Sequence, residues 1–288
     1  MNFYLTAVLL GLGFASLALG IFISMRIFNI PDITTDGSFT LGGAVTAVLL
    51  SQHVSMPVIF VAAFLSGAIA GAMTGFIHTR LKVNALLAGI LVMTALYSVN
   101  LALMGRSNIP LIDIPTIFSL ANFIHGEVAQ QAFVLVLFVL LLWQLMGWVL
   151  KTDFGLAMRA TGNNESMIRA LGVNTNRMKI IGLGLANGLT ALSGFLITQI
   201  QGFADINMGI GIVILGLGSV MIGEIFSKTF SVKSIYVQLI AVIAGSVIFR
   251  LILAFALSIG IDPLYLKLVV AAFVLLVVSI PNLKKAND

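Results

Sequence analysis

Long apolar segments constrain the fold of this chain more than any other feature of its sequence. A helix that crosses the hydrocarbon core of a membrane needs about 20 mostly apolar residues, or about 17 at the lower end. Such segments follow one another along the whole chain, so we expect an all-α polytopic membrane bundle of about nine transmembrane helices. The segments are residues 4–24, 38–50, 57–77, 84–104, 132–150, 180–200, 209–226, 235–257 and 265–280.

The composition agrees with a membrane protein surrounded by lipid. Hydrophobic residues make up 60% of the chain and charged residues only 9%, whereas a soluble domain carries about 25% charged residues. The net charge of +5 does not indicate a nucleic-acid partner, because the basic residues are dispersed among the segment ends. The chain contains no cysteine, which excludes thiol catalysis, thiolate metal sites and disulfides.

The second apolar segment is unusually short and follows a polar interruption that contains Pro31. We therefore expect a broken second helix that begins near Ser38. The polar side chains at the break have two interpretations, which can both hold. They line a translocation pathway or gate, or they cap the helix, with Asp36 or Ser38 as its N-cap. The candidate pathway residues are Asp32, Thr35, Asp36 and Ser38.

A polar stretch at residues 151–179 separates the fifth and sixth segments. Its middle predicts a short helix, in which Asn163 or Asn164 caps the first turn and Glu165 suits the positive end of the helix dipole. Gly172 is a natural residue just beyond the C-terminal end. From the residues alone, a solvated helical loop explains the stretch as well as a functional element does. The predicted helix carries Met167, Ile168, Ala170 and Leu171 on an apolar face, beside Arg169.

The distribution of basic residues predicts the orientation of the chain in the membrane. With residues 151–179 in the cytoplasm, alternation of the spans places twelve of the 15 Lys and Arg residues inside. The exceptions are Arg106, Arg250 and Lys267. The N-terminus is then outside and the C-terminus inside.

Two polar breaks show a short internal similarity. Residues 28–45 (FNIPDITTDGSFTLGGAV) and 202–220 (GFADINMGIGIVILGLGSV) share a Phe, an Asp-Ile pair and a Gly-rich helix start. Since they follow spans of opposite direction, they predict an inverted-topology repeat, an arrangement that transport proteins use around a central pathway. Chance similarity between Gly-rich segments is the alternative.

No motif in the sequence indicates an enzyme, a cofactor site or a metal site. The spans contain no HExxH, no GxSxG and no GxxxxGK[ST], so any ATP hydrolysis is expected in another chain. Among the charged residues in the spans, we expect Glu224 to pair with Lys228 at i, i+4. Arg250 either extends outward to the interface or pairs with Asp205 or Asp262.

Two stretches carry a resemblance to a known family. The segment RATGNNESMIRALGVNTNRMKIIGLGLANGLTALSGFL and the break IPDITTDGSFTLGGAV resemble bacterial ABC importer permeases of the branched-chain amino acid and ribose type, closest to the tryptophan or tyrosine and uncharacterised amino-acid branch. The chain departs from the pattern at Met167 or Ile168, where a small residue is usual, and at Asn187, where Ser is frequent. The matching positions are Arg159, Ala160, Gly162, Asn163, Gly172, Lys179, Leu192 and Gly194.

The resemblance implies a role for the short cytoplasmic helix. In the family it is a coupling helix that docks on an ABC ATPase subunit, within one transmembrane permease domain that here spans residues 1–288. The resemblance also implies an extracytoplasmic substrate-binding protein, a second permease copy in a homodimer, and the bacterial inner membrane. The implied ATPase-coupling residues are Asn163, Glu165, Met167, Ile168, Arg169, Ala170, Leu171 and Gly172.

The expected substrate is a small neutral or zwitterionic solute, because the spans are rich in glycine and poor in charge. We expect an amino acid, with an aromatic one in view, and keep a sugar or nucleoside as the alternative. A self-contained secondary carrier explains the composition and the repeat equally well. It leaves the capped cytoplasmic helix without a role.

Overall fold

The computed structural model describes residues 3–230 and 234–285. This part of the chain is nearly all-helical, which confirms the predicted all-α class. Its α-helices are α1 (Phe3–Gly13), α2 (Ala15–Ile21), α3 (Thr34–Ser51), α4 (Met56–Arg80), α5 (Ala85–Met104), α6 (Glu127–Lys151), α7 (Asp153–Asn163), α8 (Glu165–Ala170), α9 (Thr175–Gln201), α10 (Ile212–Thr229), α11 (Ile235–Ser258) and α12 (Leu266–Lys285). Shorter elements are a π-helical turn (Phe22–Ile27), 3-10 turns (Ile117–Ala121 and Pro263–Tyr265) and the strands β1 (Asn108–Pro110) and β2 (Phe203–Asp205).

Several of the described helices are suited to crossing a membrane. Six, namely α4, α5, α6, α9, α10 and α11, are long and apolar enough, and the bent pair of α1 with α2 and its π-turn makes a seventh. The bend of 40° lies at the break between α1 and α2, at Phe14. The first span is therefore angled near its start. Helix α3 and the apolar part of α12, Leu266–Val277, do not meet the same test, so nine spans remains a prediction.

Helix α9 lies at the centre of the bundle. Of its most apolar 18-residue window, 83% is buried inside the chain, against 28% to 50% for the other candidate spans. Gly67, Gly71 and Gly75 of α4 face it, and a Cβ at each would overlap α9 atoms at Asn187, Leu183 or Ile180. The three glycines form two overlapping GxxxG spacings, which allow the two backbones to approach closely.

The opposite face of α4 is apolar and exposed. Val61, Leu65 and Ile69, spaced four residues apart, each leave more than half of their surface uncovered. Aliphatic side chains in this pattern on a helix of spanning length are suited to contact with lipid. The helix thus has a glycine face for α9 and an aliphatic face for the membrane.

Helix α3 begins earlier than expected, and the predicted cap is wrong. The helix starts at Thr34, not near Ser38, and the N-cap residue is Ile33 rather than Asp36 or Ser38. The Asp32 carboxylate accepts the Thr34 N–H at 2.9 Å. This hydrogen bond stabilises the first turn of α3, one turn before the predicted start. The extra turn extends α3 to 18 residues, or about 27 Å, close to the thickness of a membrane core.

A two-stranded antiparallel sheet joins two loops that the sequence left irregular. Strand β1 follows α5, β2 follows α9, and Ile109 lies opposite Ala204 in the register. The pairing fixes the ends of α5 and α9 on the same side of the bundle. Between β1 and α6, Ile117–Ala121 form a 3-10 turn in which Phe118 is buried.

We predict that adding one methyl group at the α4–α9 crossing destabilises the protein according to the local clearance. At Gly71, a Cβ would overlap the Leu183 carbonyl oxygen, whereas at Gly184 its nearest neighbour is 3.1 Å away. Overpacking of a tight interior typically costs about 1–3 kcal/mol. Gly71→Ala should therefore lower the thermal midpoint of the detergent-solubilised protein by several degrees, and Gly184→Ala should lower it much less. Equal midpoints for the two variants would contradict this packing.

Candidate functional site

The polar stretch at residues 151–179 forms two helices, α7 and α8, between α6 and α9. Thr152 caps α7, because its hydroxyl accepts the Gly155 N–H at 3.3 Å. Near the other end of α7, Gly162 lies so close to the backbone of Ile27 that a Cβ would overlap the Ile27 carbonyl oxygen. The Asn29 side chain donates to the Gly162 carbonyl oxygen at 3.1 Å. Helix α7 is thereby held against the end of the first span.

The short helix α8 has the caps that the sequence predicts. Asn164, one of the two candidates, accepts the Met167 N–H at 3.0 Å, while Asn163 is the last residue of α7. At the other end, Gly172 has a φ of +86°, a left-handed conformation that strongly favours glycine. Both ends of α8 are therefore fixed by the local sequence.

Glu165 connects α8 to the start of α9. Its carboxylate accepts hydrogen bonds from Lys179 at 2.6 Å, Arg169 at 2.7 Å and Thr175 at 3.0 Å. The hydrogen bond from Lys179, followed by those from Thr175 and by both positive charges, lowers the pKa of Glu165 below its ordinary value of 4.5. Sequence reasoning placed Glu165 at the helix dipole and missed these partners, which lie up to 14 residues away.

One face of α8 is apolar and uncovered. Met167 is 60% exposed, Leu171 is 69% exposed, and Ala170 between them is also exposed. Ile168, which the sequence assigned to the same face, is half-buried against the chain itself. A small helix with two fixed ends and an exposed apolar face is suited to contact with another protein.

The second candidate region, the break before α3, is a buried polar network. The Asn187 amide donates to the Asp32 carboxylate at 2.6 Å, and the Ser38 hydroxyl donates to the Asn187 oxygen at 2.8 Å. The Thr35 hydroxyl donates to the Asp32 carbonyl oxygen at 3.2 Å. All four residues are buried. In this conformation Asp32 and Ser38 therefore connect the start of α3 to α9 inside the protein, while Thr35 bonds within the break itself.

Asp36 differs from the other three candidate pathway residues. Its two carboxylate oxygens accept the N–H groups of Gly211 and Val213, each at 2.9 Å. Asp36 thus caps a helix, as one interpretation held, but that helix is α10 rather than its own. It also borders a cavity of about 370 Å³ that Thr94 and Asn100 of α5 line.

The structure also shows which residues Glu224 and Arg250 contact. Glu224 pairs with Lys228 at 3.1 Å, as predicted, and in addition with Arg26 at 2.9 Å. Arg250 forms no ion pair with Asp205 or Asp262, so the predicted pairing is wrong. Its guanidinium instead stacks 3.8 Å from the centre of the Phe14 ring.

Comparison with known proteins gives a consistent family. A family model described as "Branched-chain amino acid transport system / permease component" matches residues 3–279. A tyrosine transport system permease protein of Clostridioides difficile is 40% identical over 275 residues, which cover 94% of this chain and 90% of that protein. An uncharacterized protein of Rickettsia prowazekii is 36% identical over the full length of both chains. The autoinducer 2 import system permease protein LsrC of Salmonella choleraesuis is 29% identical over 73% of this chain and 59% of its own length.

We predict that the Glu165 cluster holds α8 against α9 in a pH-dependent way. Because the folded-state pKa of Glu165 is lowered, its contribution is present above pH 4.5 and is lost as the pH falls further. A nitroxide attached through Leu171→Cys should gain mobility in the electron paramagnetic resonance spectrum only below pH 4.5. With Glu165→Gln added, it should be mobile at neutral pH.

The matched control is Glu127→Gln, which removes an exposed carboxylate at the start of α6. It should follow the parent at every pH. An immobile label at neutral pH in the Glu165→Gln variant would show that the cluster does not hold α8.

Proposed function

The chain belongs to the family of branched-chain amino acid transport system permease components, and we propose that it imports an amino acid into the cytoplasm of a bacterium. It is a permease component of an ABC importer and not an enzyme. Family membership over residues 3–279 is the observation that carries this conclusion. The apolar face of α8 supports a mechanism in which ATP hydrolysis in a separate subunit drives the movement of the spans.

The proposed ATPase contact is the exposed face of α8. Met167, Ala170 and Leu171 dock in the ATPase subunit, Ile168 packs behind them, and Arg169 lies at the rim. Asn164 and Gly172 fix the two ends of α8. Glu165 fixes the position of α8 against α9. A displacement of α8 is therefore transmitted to α9, the buried span. The remaining proposed partners are an extracytoplasmic binding protein and a second copy of this chain.

An aromatic amino acid is the substrate that we favour. The tyrosine transport system permease is 40% identical over 94% of this chain, whereas the autoinducer 2 permease is 29% identical over 73%. A sugar-like substrate, suggested by the autoinducer 2 permease, is the alternative. A ligand-binding measurement on the partner binding protein distinguishes the two, because that protein selects what reaches the permease.

The proposed topology has nine spans within one transmembrane domain, with the N-terminus outside and the C-terminus inside. The inverted repeat is supported by a shared local geometry. Asp32 accepts the N–H of Thr34, and Asp205 accepts the N–H of Asn207, in each case two residues later. Each Asp precedes a helix start, at α3 and at α10. Lys233 and residues 286–288 lie outside the described part of the chain.

The proposed pathway passes beside Asp36, where α3 and α10 begin. Asp32 and Ser38 support the pathway by connecting the start of α3 to Asn187, and Thr35 holds the break through the Asp32 carbonyl oxygen. Asp36 lies 15 residues from the end of α3, or about 22 Å along the axis. The start of α10, which Asp36 caps, therefore lies far from the end of the bundle at which α3 ends.

We predict that a charge on the apolar face of α8 uncouples the importer. Burying an unpaired carboxylate in an interface costs about 3–5 kcal/mol. Ala170→Glu should therefore release the ATPase subunit or lower substrate-stimulated ATP hydrolysis at least tenfold, while the permease still inserts in the membrane. The matched control is Ala170→Gln, which has the same shape without the charge and should retain most of the activity. Normal transport by Ala170→Glu would show that α8 is not the coupling element.

We also predict the sidedness of two loops from single cysteines in this cysteine-free chain. Ser107→Cys, next to β1, should react with a membrane-impermeant maleimide added to intact cells. Ser166→Cys, on α8, should react only after the cells are opened. The unmodified parent provides the background. Reaction of Ser166→Cys in intact cells would reverse the proposed orientation.

A further inference from the structure

A second cavity lies between the first span, α3, the end of α9, β2 and α11. Its volume is about 340 Å³, within the range of about 300–1,000 Å³ that is typical of small-molecule sites. The lining includes a cation, Arg250, an anion, Asp205, and the aromatic rings of Phe14, Phe39 and Phe203. A polar pair with aromatic walls differs from the largely apolar surface that the rest of the bundle presents.

Arg250 faces this cavity with its hydrogen-bonding capacity unused. Among the described residues, Arg250 has no hydrogen-bond or ion-pair partner. Its guanidinium stacks on the Phe14 ring, 3.8 Å from the ring centre. A guanidinium has five N–H donors, and an unpaired charge removed from bulk water is unfavourable. The donors must therefore be met by water or by an anionic ligand inside the cavity.

Asp205 supplies the opposite charge on the same cavity. Its carboxylate accepts the Asn207 N–H at 2.8 Å and the Asn108 amide at 3.3 Å. A carboxylate has about four acceptor positions, so it can take further donors. Among the described ion pairs, none joins Asp205 to Arg250. A cation and an anion therefore border one space without neutralising each other.

The position of the cavity fits the entry side of the proposed importer. Strand β2 lies in the loop after α9, which the pairing with β1 places beside the loop after α5. In the proposed orientation both loops are extracytoplasmic. Arg250 is also one of three basic residues that depart from the cytoplasmic bias of the others. Its placement on the outer side is explained if it serves a ligand.

We infer that this cavity is an entry-side subsite for an amino acid. Arg250 binds the α-carboxylate, Asp205 binds the ammonium group, and Phe14, Phe39 and Phe203 contact the side chain. Phe14 and Phe39 are already stacked, with ring centres 5.7 Å apart, which holds the Arg250 side of the cavity in place. The inference rests on the proposed function, since it assigns the substrate class to a site in the permease itself.

Direct binding to the assembled permease–ATPase complex in lipid nanodiscs, without the binding protein, tests this subsite. The probes are radiolabelled L-tyrosine and L-leucine, competed by tyramine and isopentylamine, which lack the carboxylate. The parent should prefer one of the amino acids to its amine at least tenfold, since a charge-assisted bidentate contact is lost with the carboxylate. Arg250→Gln should weaken amino-acid binding about tenfold or more and abolish the preference. Arg250→Lys should retain part of both.

The matched control is Arg106→Gln, which removes an exposed basic residue from the same side of the bundle. It should bind like the parent. A parent complex that binds neither amino acid would overturn the subsite, as would an Arg250→Gln variant with unchanged affinity and preference. A thermal midpoint of Arg250→Gln near that of the parent excludes misfolding as the cause of its loss of binding.

ATP hydrolysis by the same samples separates this inference from the proposed function. If the loaded binding protein stimulates hydrolysis while Arg250→Gln binds normally, the subsite is wrong and the importer assignment stands. If no ATPase subunit co-purifies with the chain, the importer assignment fails whatever the binding result.

Discussion

The structure depends on the close contact of α9 with α3 and α4. Glycines allow the approach, because Gly67 and Gly71 on α4 and Gly42 on α3 leave no room for a Cβ against α9. At the same crossing Asn187 joins Asp32 to Ser38 through two hydrogen bonds. A polar network away from water is stable only when its members are satisfied. The glycine contacts and the network therefore fix one relative position of the three helices.

This contact explains how two helices can begin in the interior of the bundle. The start of α3 is fastened by Asp32, and the start of α10 is capped by Asp36. Helix N-termini favour negative charge, so the Asp36 carboxylate stabilises the α10 end as well as its own. Transport proteins often contain discontinuous helices whose ends lie near the centre of the bundle.

Much of the fold was predictable from local sequence, because helices and caps are local. Asn164 and Gly172 indicated the ends of α8. Partners distant in sequence were not predictable. Asp36 was expected to cap its own helix, whereas it caps α10 through Gly211, 175 residues away.

The candidate site was predictable to the same extent. The apolar face of α8 was identified from helical spacing, although Ile168 packs inward. The role of Asn187 was missed, since a single polar residue in an apolar span does not reveal its partner. Its only signal was the presence of an amide where the family pattern has Ser.

In the proposed mechanism, the energy source lies outside this chain and the moving parts lie within it. In that mechanism α8 contacts the ATPase, and Glu165, which bonds to Lys179, links α8 to α9. The helix starts near Asp36 lie beside the proposed pathway. A self-contained carrier would have no use for a capped cytoplasmic helix that is linked to α9. The dependence of transport on a separate ATPase is therefore the central claim.

Uptake of radiolabelled L-tyrosine into proteoliposomes tests that claim most directly. The liposomes contain this chain with or without its ATPase subunit, and binding protein and ATP are supplied on the appropriate sides. We expect uptake only when the ATPase, the binding protein and hydrolysable ATP are all present. Concentrative uptake by this chain alone, driven by an ion gradient without ATP, would contradict the account.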